Sequence, residues 1–65
     1  MTKRERMMLV VAALGGDERW VRTEAAASAA HMDDGEWKAI LLALVEAGQL
    51  EVGAGMVKLS TTSAG

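Results

Sequence analysis

The sequence predicts a mainly α-helical domain with a small antiparallel β-sheet, three helices and a C-terminal β-hairpin within residues 1–65. Three observations predict it. Apolar residues recur at helical spacing in two stretches, Met7-Val10-Val11-Leu14 and Trp37-Ile40-Leu41-Leu44-Val45. Between them, "EAAASAAHM" is dominated by alanine, the residue with the highest helix propensity. The last third, "QLEVGAGMVKLS", alternates apolar and polar residues on both sides of a glycine-rich turn. A chain this short forms one domain and buries only about 60% of its unfolded surface, so its stability is marginal.

Each element has its own local signal. Helix one is expected over Lys3 to Leu14, with Gly15-Gly16 supplying the positive φ that follows a last turn. Met8 and Leu9 widen its apolar stripe beyond what a single small core requires. "RWVR" is expected as a short extended piece with Trp20 facing inward. Thr23 is the expected N-cap of helix two, whose small side chains allow close packing. Asp33, with Glu36 three residues on, predicts a capping-box pair for helix three, Asp34 to about Ala47, which Gly48 stops. Leu50 and Val52, then Met56 to Leu59, form the hairpin. The ordered part is expected over about residues 3–60, with a flexible tail over 61–65. A plain three-helix bundle trailing a loose C-terminal segment is the second-ranked arrangement.

Bulk composition narrows the function. Seven Lys and Arg against nine Asp and Glu give a net charge of −2. A nucleic-acid binder usually has a basic excess, because neutralised phosphates supply most of its non-specific affinity. The chain has no cysteine. That excludes a disulfide framework or thiolate metal site, suits a reducing cytoplasm, and leaves the core to apolar packing with help from a second subunit. "MTKRERMMLVVAALGG" has the basic start and apolar run of a short secretory signal, but Glu5 and Arg6 interrupt it and its removal would leave too small a core. No run reaches the roughly 18 apolar residues of a membrane span.

The order helix, short strand, helix, turn, helix, hairpin resembles a winged helix-turn-helix domain. The resemblance is clearest at "ILLALVEAGQLEVGAGMVKLS", where Leu41, Leu44, Gly48 and Leu50 look like a recognition helix running into its wing. It covers Lys3 to Ser60 and implies a three-helix winged-helix fold with a C-terminal β-hairpin wing. It also implies a DNA-binding module of transcription control, with helix three on the bases and the wing and helix one on phosphates.

The residues answer that expectation unevenly. With Trp37, Leu41 and Leu44 inward, helix three turns Lys38, Ala39, Leu42, Ala43 and Glu46 outward. Base readout uses Arg or Lys on guanine and Asn or Gln on adenine. From Asp33 to Ala47 only Lys38 qualifies, and Asp33, Asp34 and Glu36 crowd the end that would dock. Nucleic-acid contacts would fall to Lys3, Arg4, Arg6, Arg19, Arg22, Lys38 and Lys58. A protein-contact reading uses what the DNA reading leaves idle: Leu9 and Ala13 on helix one, and Lys38, Leu42 and Glu46 on helix three. The expected function is therefore a gene-regulation module docking on a protein partner or on itself, with direct DNA binding as the alternative.

Other chemistries find little support. His31 is the single histidine, and its spacing to Asp33, Asp34 and Glu36 is wrong for a calcium loop. Ser28, Ser60 and Ser63 lack a His–carboxylate arrangement for nucleophilic catalysis. "GAGM" lacks the lysine and following helix of a phosphate loop. The expectation is a non-enzymatic module with no cofactor, no metal, no small-molecule substrate and no membrane span.

Overall fold

The computed structural model describes residues 1–60, so the expected tail over 61–65 lies outside the described residues. Three helices and a three-stranded antiparallel sheet run in the order α1 (Lys3–Ala13), β1 (Val21–Arg22), α2 (Thr23–Ala29), α3 (Asp34–Glu46), β2 (Leu50–Gly53) and β3 (Met56–Leu59). This mainly α architecture with a small sheet is consistent with a winged-helix layout. The plain bundle is overturned, because the last third of the chain is paired in the sheet.

The helices are bounded by local chemistry. Thr2 caps α1 through its side chain, which accepts from the Glu5 N–H, while the Glu5 carboxylate reaches back to the Thr2 N–H. All three helices stop in the same way. Gly15, His31 and Gly48 take left-handed φ values of 98°, 58° and 78°. The amide after each turns back to the helix: Gly16 to the Val11 carbonyl, Met32 to Ala27 and Gln49 to Leu44. Helix one therefore ends at Ala13, one residue short of expectation, and Leu14 is exposed. Helix two likewise ends at Ala29, so His31 and buried Met32 belong to its closing turn.

Sheet order is β1-β3-β2, with β3 central. Val21 pairs with Val57, and Val52 lies across from Val57 on the other side. Strand alternation sends Val21, Leu50 and Val57 into the core, where they meet Met7 and Val11 of α1, Ala26 and Ala27 of α2, and Trp37, Leu41 and Leu44 of α3. Gly16 seals one edge. A Cβ there would sit 2.3 Å from Val11 Cγ1, and its carbonyl accepts from the Leu59 N–H at 2.8 Å.

Three expectations are corrected by tertiary neighbours. Trp20 is 44% exposed, because Val21 takes the inward position and the preceding residue must point the other way. Its ring lies under Lys58, with Nζ 5.1 Å from the centroid. Thr23 does not cap α2; it is the first helical residue, and its N–H and Oγ1–H both donate to the Gly55 carbonyl in the wing turn. Asp33 does cap α3, accepting from the Glu36 N–H at 2.7 Å. The reciprocal half of the capping box is missing, because Glu36 turns its carboxylate to Lys3 of α1.

Candidate docking surface

Helix α3 sits where the resemblance puts a recognition helix, followed by the β2–β3 wing. Its inner face is fixed by burial: Trp37 is only 4% exposed, and Leu41 and Leu44 are buried beside it. Ile40 and Val45 flank them half-buried. What remains outward is Lys38, Ala39, Leu42 and Glu46, all exposed. Ala43, expected among them, is half-buried at the edge. Leu42 is 60% exposed, and Lys38 and Glu46 stand one turn before and one turn after it. At 3.6 residues per turn the three lie within about 80° of arc, forming one stripe.

The cleft between α3, α2 and the wing is lined by Thr23, Glu24, Ala27, Asp34, Trp37, Lys38, Leu41, Val52 and Gly55. Two carboxylates and one ammonium border a mostly apolar floor. Val52 points toward the core side of its strand but lies beyond the core, so it remains exposed. It is a surface residue that pattern reading missed. Its register partner Val57 is buried because β3 is the central strand, whereas Val52 lies on the edge strand β2.

The cations expected to meet nucleic acid are scattered and partly engaged. Lys3 forms an ion pair with Glu36, the one salt bridge among the described residues. Lys58 stands over Trp20 on the outer face of the sheet. Arg19 folds over the α1 terminus, its Nε lying 2.6 Å from where a Gly15 Cβ would be. Arg22 lies near Glu24 and the wing turn, lining a shallow cleft with Ala54, Gly55 and Met56. Arg4 and Arg6 are exposed on α1, about 160° apart on the helix wheel, so they face different directions. No single face collects these charges.

Leu9 lies elsewhere, in a groove of about 530 Å³ between α1 and the end of α3, with Thr2, Arg4, Glu5, Met8, Leu44, Ala47 and Gln49. Ala13 is exposed on α1 but does not line that groove, and neither does Leu42. The candidates on α1 and α3 therefore do not merge in one cavity. Among the described residues no group of three or more His, Asp or Glu side chains converges to hold a metal ion, and no helix is long and apolar enough to cross a membrane. Comparison with family models, curated proteins and solved structures returns no match.

Proposed function

We propose that this chain is a small, non-enzymatic winged-helix module of the gene-regulation type that acts by docking on protein through the outward face of α3. One observation supports this above the rest. The helix in the DNA-reading position presents an exposed leucine flanked by one ammonium and one carboxylate, with no Arg, Asn or Gln to read a base edge. The absence of cysteine suits work in a reducing cytoplasm.

Leu42→Arg tests the reading in two directions. On the protein reading it removes the apolar centre of the face, weakens association with protein, and leaves the fold intact because the side chain is solvent-exposed. On the DNA reading it adds a guanidinium where bases would lie, and duplex affinity rises. The expected outcome is no duplex binding by wild-type protein at low salt and none gained by the variant. Binding that falls steeply with salt, and that Lys38→Ala or Arg22→Ala weakens, would establish the DNA reading instead.

A further inference from the structure

We propose that the stripe Lys38-Leu42-Glu46 pairs with a second copy of this chain, two α3 helices lying antiparallel across a two-fold axis at Leu42. The inference rests on the protein-docking reading and names the partner for that face. Its basis is the symmetry of the charges. Lys38 and Glu46 lie four residues to either side of Leu42, about 6 Å along the axis in each direction. An antiparallel copy rotated about Leu42 sets each Lys38 opposite Glu46 of the second copy, twice over, with Leu42 on Leu42 between them. A parallel arrangement would place like charges together. A two-fold interface must be self-complementary, and this stripe is.

Other features of α3 agree. Among the described residues neither Lys38 nor Glu46 has an ion-pair partner, although both are exposed on the same face. Glu46 closes the last turn of α3, where a carboxylate opposes the helix macrodipole, and no basic residue in that turn offsets it. The incoming Lys38 would supply the missing positive charge. Exposed Ala39 beside the stripe presents only a methyl group, so the two backbones can approach closely. The helix has 13 residues, about 20 Å of length, so the contact falls below the roughly 1,200 Å² of a stable interface. Association is therefore weak and sensitive to salt.

Sedimentation equilibrium at low ionic strength tests this with Lys38→Glu and Glu46→Lys, each checked for unchanged helical circular dichroism. Wild-type protein should dimerise, and either reversal alone should weaken self-association about tenfold by opposing like charges at two symmetric points. An equimolar mixture of the two single variants should recover dimer, since every pair in that heterodimer is again opposite in sign. The double reversal in one chain should recover it as well. Wild-type protein that stays monomeric to about 1 mM, reversals without effect, or a mixture that fails to recover would each overturn the pairing. Duplex binding judges the wider reading separately. A monomer that also ignores DNA overturns self-pairing alone, whereas salt-dependent duplex binding overturns the docking reading whatever the sedimentation shows.

Discussion

Ala54→Asn should stabilise the protein by relieving a left-handed alanine in the wing turn. Gly53 and Met56 close a two-residue hairpin loop in which Ala54 has φ 53° and Gly55 φ 75°. A loop with both central residues left-handed matches the twist of its strands, and Asn-Gly is its preferred sequence. Alanine in that region crowds its Cβ against the following carbonyl, at a cost of about 1 kcal/mol. Ala54 is exposed, so replacing it forfeits no core contact. Asparagine tolerates the conformation and should recover about 0.5–1 kcal/mol of that cost. In a domain this small such a gain raises Tm by about 2–8 °C. Ala54→Gly relieves the same crowding, but the freer unfolded chain offsets most of it. Ala54→Val adds β-branching and should destabilise. Thermal melts of the four proteins by circular dichroism should rank Asn above Gly and wild type, with Val lowest. A valine variant as stable as the asparagine variant would refute a left-handed turn at this position.

Loss of the α3 cap gives a second measurable change. Asp33→Ala leaves the Glu36 N–H without its acceptor and should cost about 1 kcal/mol in urea unfolding, while Asp33→Asn should retain most of the stability. The two tryptophans should separate sharply. Trp37→Ala empties a buried site and should cost about 3–5 kcal/mol, enough to unfold much of so small a domain. Trp20→Ala on the outer sheet face should cost far less and shift the midpoint only slightly, since it loses partial burial and a contact with Lys58 worth about 0.5–1 kcal/mol.

Most of the fold was legible because its signals are local. The period of Trp37, Leu41 and Leu44, the stop at Gly48 and the alternation around the wing turn each reside within a few residues. Failures arose where a residue distant in sequence made the decision. "RWVR" is too short for alternation to choose between Trp20 and Val21, and the choice was made by Val57, which pairs with Val21. Thr23 has every local reason to cap α2, but Gly55, 32 residues on, accepts its hydroxyl. Glu36 has the spacing of a capping box and is drawn instead to Lys3, 33 residues back. The docking candidates on α3 were legible as a spacing. Whether Leu9 and Leu42 share one surface was not, because that depends on how α1 crosses α3. The closing turn at His31 could have been anticipated only weakly, since histidine is less common than glycine at left-handed φ.

The carboxylates at the head of α3 bear both on folding and on the proposed docking. Asp33 satisfies an otherwise orphan N–H, Asp34 and Glu36 sit in the positive first turn, and Glu36 also links α3 to α1 through Lys3. Each contact is modest; the exposed ion pair contributes under about 1 kcal/mol. In a chain with no disulfide and marginal stability, such small contributions matter together. The same three acids lie at the end a reading helix presents to phosphate, where negative charge opposes approach and nearby positive charge is sparse. Neutral caps such as serine or asparagine would serve the helix almost as well without that repulsion. The cap and the first-turn acids thus stabilise α3 while making its head unfavourable for DNA, in keeping with the proposed protein docking. Replacing Asp34 and Glu36 together by alanine removes the negative charge without adding an amide that could read a base. Helix stability should fall by less than about 2 kcal/mol, and the docking reading expects duplex affinity to remain absent even after the negative charge is gone.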